Sequence, residues 1–194
     1  MGRDTIPATS TDLSIRTDNA AHGRRDARFL LNDAMRLLAA QPRSIFIGQG
    51  VASDGIATFA DFEGIPLSQR VEYPVAEELQ LGHGIGLAMM GYLSVLVYPR
   101  CDFLLRAADS LVNHLDKIEA MSFGQWAPKV IVRTRVGSTH PLNPGPQHSQ
   151  NHASAFRRML TNVNVWEIVR EHEILATYTR AIQSKRSSLI IEVL

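Results

Sequence analysis

The stretch PGPQHSQNH, residues 144–152, sets two histidines, two glutamines, an asparagine and a serine behind two prolines and a glycine. Such a loop can simply be solvated, or it can line a pocket in which a near-neutral imidazole moves protons. His148 and His152 are four apart and His140 lies eight residues before His148, so a metal-dependent hydrolase is one chemistry to weigh. No glutamate follows His148 as the HExxH pattern requires, and no GxSxG elbow offers a serine nucleophile. The second place for chemistry is the pair Glu77 and Glu78 in YPVAEELQLGHGIG. Carboxylates at a helix start are favoured by the backbone dipole whatever their role, and a carboxylate shielded from water can also serve as an acid or base. GHGIG, residues 82–86, lies inside the expected helix rather than opening one, and so does not read as a phosphate cradle.

The elements that must position these groups follow from hydrophobic period. Helical spacing runs over 25–40, ended by Pro42, and a strand follows at 44–48. After a loop over 49–70 come a short strand at 71–75 and a helix over 77–92, in spite of four glycines that cost about 1 kcal/mol each relative to alanine. Close packing against a neighbour is the expected compensation. Strands are then expected at 93–98, 129–134, 163–169 and 188–194, and helices at 103–121, 152–160 and 171–185. Strands alternating with helices predict an α/β domain of three layers, α/β/α, with a mainly parallel sheet. Ligands of such sheets bind beyond the carboxyl ends of the strands. The segments at 48–55 and 74–82 and the loop 134–151 all fall there, which places the histidine loop at the functional edge.

With 194 residues and 45% hydrophobic content, one core and one domain are expected. Twenty basic against nineteen acidic residues leave a formal charge of +1, which gives no nucleic-acid signal. Cys101 is the only cysteine, and no run of about 18 apolar residues exists, so a cytoplasmic protein without a membrane span is expected. Residues 1–22 lack apolar periodicity and read as a flexible arm, leaving 23–194 as the domain.

Taken in order, IFIGQGVASDG, YPVAEELQLGHGIGLAMMG, CDFLLRAADSLVNHLDK, AMSFG and QHSQ resemble the pyrimidine-binding domain of thiamine diphosphate enzymes. The resemblance is most specific to the N-terminal domain of the beta subunit of 2-oxo acid dehydrogenases, and it runs from about residue 25 to 194. It implies that Glu77 hydrogen-bonds the aminopyrimidine ring of thiamine diphosphate and promotes the tautomer that deprotonates the thiazolium carbon. It also implies that Phe103 stacks on the pyrimidine, and that His148, flanked by Gln147 and Gln150, faces the substrate. Glu77 and His148 are then the catalytic residues.

Two departures qualify the match. Where the family has acidic residues after its first strand, this chain has Gln49 and Gly50. The GDG motif with an asparagine about thirty residues on, which holds the diphosphate through magnesium, is not found: Ser53-Asp54-Gly55 is followed by no asparagine until Asn113. The resemblance therefore implies a split enzyme, in which a diphosphate-binding, alpha-type subunit holds the magnesium and the two chains form a heterotetramer. Its expected reaction is cleavage of a 2-oxo acid or ketose with transfer of the activated aldehyde, as in a decarboxylase, carboligase or transketolase. The chain also stops where the C-terminal domain of the dehydrogenase subunit would begin, which tilts the expectation away from a lipoyl-linked dehydrogenase. A regulatory subunit that keeps the fold is the alternative of another class.

Overall fold

The computed structural model describes residues 27–55 and 58–194; the arm expected over 1–22 lies outside them. Its sheet has six strands: β1 (Ser44–Gly48), β2 (Arg70–Glu72), β3 (Leu93–Tyr98), β4 (Val130–Arg135), β5 (Asn164–Ile168) and β6 (Ser188–Glu192). Their order is β2-β1-β3-β4-β6-β5, and every pair is parallel. The expectation of a mainly parallel sheet is thus met in full.

The central strands are buried on both faces because helices cover both. One layer holds the first helix, α1 (27–39), whose Ala27, Leu31, Ala34, Met35 and Leu38 form a buried stripe, together with α6 (Ile174–Gln183). The other layer holds α2 (Glu77–Met89), α3 (Cys101–Leu104), α4 (Ile118–Met121) and α5 (Ala153–Met159). Alternate residues of β3 serve the two cores: Val95 and Val97 face α1, while Leu96 and Tyr98 face α2.

The long helix expected over 103–121 is broken. After α3 come a 3₁₀ turn, Leu105–Ala107, a π-helical segment, Ser110–Leu115, and then α4. The cause is visible at its end. Asp116 is buried, and both its oxygens accept backbone N–H groups, from Thr161, Asn162 and Val163, at 2.7–3.1 Å. Holding that carboxylate against the turn before β5 takes precedence over a regular i to i+4 ladder.

The four glycines of the α2 region do not act alike. A Cβ on Gly84 would meet Leu96 Cδ2 at 2.5 Å, so this glycine lets α2 lie close on β3, whereas one on Gly82, Gly86 or Gly91 would meet nothing within 4 Å. Tighter still is Gly48, where an added Cβ would sit 2.2 Å from the carbonyl oxygen of Val97 across the β1–β3 pair.

These contacts set two expected outcomes. Gly48→Ala should destabilise the chain by about 3 kcal/mol through overpacking against backbone, whereas Gly86→Ala, in open space, should stabilise it by about 1 kcal/mol as a better helix former; urea unfolding of both variants measures the difference. For Asp116, burial alone would raise the pKa, but the Lys117 ammonium and the three amides outweigh it and hold the value down to about 2. Its stabilisation is therefore complete above about pH 4, the ordinary carboxylate range, and fades as pH falls toward the folded-state value. Asp116→Asn should cost roughly 2 kcal/mol at pH 7, and unfolding curves of variant and wild type should converge as pH drops from 5 to about 2.

Candidate active site at the carboxyl edge of the sheet

The sheet reverses its direction of winding between β1 and β3: β1 leads outward to β2, and β3 leads the other way to β4. Ligands of open α/β sheets bind at the carboxyl edge of such a switch point. Gln80 spans it, its Nε2 donating to the carbonyl oxygens of Ile47 and Val97 at 3.1 Å each. One turn earlier in α2, the Tyr98 hydroxyl at the end of β3 donates to the Glu77 carbonyl oxygen at 2.9 Å. Burial, then the Glu77 charge, pushes the Tyr98 phenol far above its ordinary pKa, so it stays a donor. Two strand ends thereby fix the first turn of α2.

The neighbouring carboxylates at this helix start separate cleanly. Glu77 is 3% exposed, while Glu78 faces solvent and accepts from the Ser110 hydroxyl at 3.3 Å. Glu77 Oε2 is buried without a hydrogen-bond partner; Arg106 Nε lies 3.2 Å away, at ion-pair distance but without hydrogen-bond geometry. The Arg106 side chain itself is largely exposed. A buried carboxylate oxygen with an unused lone pair, beneath a mobile-length side chain at a sheet edge, has the chemistry to receive a donor from a ligand.

Phe103 stands one turn before Arg106, on α3. Its ring meets the imidazole of His148 edge to face, with centroids 5.3 Å apart and planes at 82°. The loop carrying His148 is held at several points. Gly137 N–H donates to the His148 carbonyl oxygen at 3.0 Å, and a Cβ at position 137 would lie 2.0 Å from that same oxygen, so only glycine fits. Gln150 donates through Nε2 to Asp102 Oδ1 at 2.8 Å, tying the loop to α3 beside Phe103. Asn151 bridges Glu167 and the Ala153 amide, and Ser149 donates to the Gly145 carbonyl oxygen. Much of the polarity of residues 144–152 thus builds the loop itself. His148 is half-buried against Phe103, and Gln147 is exposed.

The structure therefore brings Phe103, His148 and Gln150 together on α3 and the histidine loop, and it sets Glu77 against the same segment through Arg106. Arg106, Asp102 and Gly137 escaped sequence reasoning; an arginine three residues after Phe103 and an acid just before it carry no spacing signal of their own. The loop after β1, where Gln49 and Gly50 depart from the acidic pattern, is organised from elsewhere. Glu72, at the end of β2, accepts the backbone N–H groups of Gly50, Val51, Ala52 and Ser53 at 2.6–3.0 Å. Cys101 is buried, and burial pushes its thiol up to about 11, which keeps it protonated at neutral pH and unfit as a nucleophile. Among the described residues, no group of three or more His, Cys, Asp or Glu is placed to hold a metal ion, so His140, His148 and His152 do not form one. No helix among them is long and apolar enough to cross a membrane.

Comparison with known proteins gives the same direction. No protein-family profile matches the chain. It is 26% identical over 130 residues to the 2-oxoisovalerate dehydrogenase subunit beta of Bacillus subtilis, a match over 65% of this chain and 39% of that protein. It is 29% identical over 86 residues to the pyruvate dehydrogenase E1 component subunit beta of Rhizobium meliloti, covering 44% of this chain and 18% of that one. Its fold matches a split-gene transketolase, described as an inactive beta4 tetramer, with a TM-score of 0.64 and 16% identity, over 87% of this chain and 50% of the other. The chain thus spans at most about half the length of these proteins. An all-parallel three-layer sheet shared with a split-gene transketolase, and two dehydrogenase beta subunits among its relatives, agree with the resemblance read from the sequence, that to the pyrimidine-binding domain of thiamine diphosphate-dependent enzymes.

Proposed function

We propose that this chain is the pyrimidine-binding subunit of a split thiamine diphosphate-dependent enzyme, which cleaves a 2-oxo acid or a ketose and passes the activated aldehyde to an acceptor. The observation that carries the reading is Glu77: a carboxylate 3% exposed, at the sheet's switch point, with one oxygen lacking a hydrogen-bond partner. That oxygen suits a pyrimidine ring nitrogen, with which a carboxyl shielded from water can share a proton. Bound thiamine diphosphate would supply a carbon nucleophile and a sink for electrons. Glu77 would hold or release the proton at its Oε2; Arg106 would swing aside, at little cost for an exposed side chain. Phe103 would offer an aromatic surface, and His148, in contact with it, would face the substrate as a proton donor or acceptor.

Magnesium and the diphosphate are assigned to an alpha-type partner, in a heterotetramer of two copies each. The names of the relatives, each a subunit or half of a split enzyme, support a partner. So does the outer face of α2, where Leu79, Met89 and Met90 are exposed beside Gly82 and Gly86, which leave room for close approach. A lipoyl-linked dehydrogenase is the second reading, favoured by the two relatives named as dehydrogenase beta subunits. Co-expression with a chain carrying GDG and its downstream asparagine, then a screen of 2-oxo acids and ketoses, tests the proposal. A stable complex that turns over one of them is expected; light scattering that shows only separate chains would remove it.

In the active complex, Glu77→Gln should leave assembly intact while turnover falls about 100-fold to 10,000-fold, the usual effect of losing a positioned acid or base. Glu78→Gln should change turnover less than about twofold, because an exposed first-turn carboxylate acts only through the helix dipole, worth about 0.3 to 1 kcal/mol. Proton exchange at the thiazolium carbon, followed by NMR in wild type and both variants, separates the two residues.

A further inference from the structure

A cavity of about 590 Å³ opens at the carboxyl edge on the α1 side of the sheet, with Arg28, Arg100, Arg135, Asp61 and Glu192 in its walls. Behind it Arg133, fully buried, donates to Asp61 Oδ2 at 2.5 Å and to Glu192 Oε1 at 2.7 Å. Arg135 joins the same two carboxylates, reaching Glu192 Oε2 at 2.8 Å and Asp61 Oδ2. Two guanidinium groups against two carboxylates balance, and the Tyr178 hydroxyl completes the cluster with a 2.6 Å bond to Glu192 Oε1.

Arg28 and Arg100 are left over. Arg28, in the first turn of α1, is exposed and has no carboxylate of a described residue within ion-pair distance. Arg100 donates one bond, from Nη1 to the carbonyl oxygen of its neighbour Pro99, and its Nε is buried with no partner. Burial, and then the charge on Arg135, lower the Arg100 pKa; Asp102 offsets this in part. Among the described residues, the side chains in the cavity wall therefore carry an excess of positive charge. Its remaining wall is largely apolar, from Leu31, Ala60 and Val136.

We propose that this cavity is a binding site for a small organic acid, with the carboxylate between Arg28 and Arg100 and an aliphatic chain along Leu31, Ala60 and Val136. Guanidinium forks match a carboxylate in shape and charge, and the volume falls in the range of small-molecule pockets. An apolar wall selects an acid with a hydrocarbon body over a bare inorganic anion. The site is separate from Glu77 and Phe103, which do not line it, and it stands whether or not the chain handles thiamine diphosphate. Gly137 lies between it and the histidine loop: a Cβ there would be 3.3 Å from Arg100 Nε and 2.0 Å from the His148 carbonyl oxygen.

Calorimetric titration of the purified chain with hexanoate, hexanamide and inorganic phosphate tests this without cofactor or partner. Hexanoate should bind with a Kd on the order of 1 mM, in keeping with a ligand of so few atoms, and hexanamide and phosphate should each bind at least tenfold more weakly. Arg28→Ala, a change at an exposed position that should leave the melting temperature unaltered, should weaken hexanoate about tenfold, and Arg100→Gln should do the same. Equal affinity for the amide, phosphate binding as well as hexanoate, undiminished binding by folded Arg28→Ala, or no binding of hexanoate up to about 20 mM would each overturn the proposal.

Discussion

The structure depends most on how closely β1 and β3 approach each other. Gly48 lies against the Val97 carbonyl with no room for a methyl group, and Gln80 reaches between the two strands to bond a carbonyl oxygen of each. The sheet changes winding direction there, so no connecting segment covers the strand ends. α2 must lie over the same pair to take the chain from β2 to β3, and Gly84 lets it sit on Leu96. The first turn of α2 is thereby brought to the switch point, with Tyr98 holding the Glu77 carbonyl oxygen. A buried carboxylate results from the packing of backbone on backbone.

Charge is handled differently on the two sides of the edge. On the α2 side two buried carboxylate oxygens, Glu77 Oε2 and Asp102 Oδ2, are left without a hydrogen bond, and the first has the exposed Arg106 nearby. On the α1 side Arg133, Arg135, Asp61, Glu192 and Tyr178 form one network, with Arg133 Nη1 left unbonded; burial would raise the Glu192 pKa, but the two arginines hold it well below the usual range. Removing one partner from such a network strands the others, at a cost of about 3 to 5 kcal/mol. The network joins β4 and β6 to the turn at Phe59–Phe62, and so braces the edge beside the histidine loop.

The sequence was legible wherever a periodic pattern met a single requirement. The strands at 44–48 and 93–98 fall where the apolar runs place them, and both core faces of the sheet follow from alternation and helical spacing. It was less legible where a contact distant in the chain decides. The helical pattern over 103–121 is real, yet Asp116 binds the amides of 161–163, forty-five residues away, and the ladder yields. The weak β2 run shortens to Arg70–Glu72 because Glu72 turns to hold four amides of the loop after β1.

The same division runs through the candidate site. Residue types in order along the chain determined by themselves the α/β class and the edge on which the polar loops lie, because period is a local property, and through a resemblance of motifs they proposed Glu77, Phe103 and His148. Only the tertiary structure decided that Glu77 is buried while Glu78 is not, that Phe103 and His148 touch, and that Gln150 is spent on Asp102. It alone assembled four arginines and two acids from five segments around one cavity. Burial and charge balance are sums over neighbours that lie far apart in the chain, and no spacing within a segment encodes them.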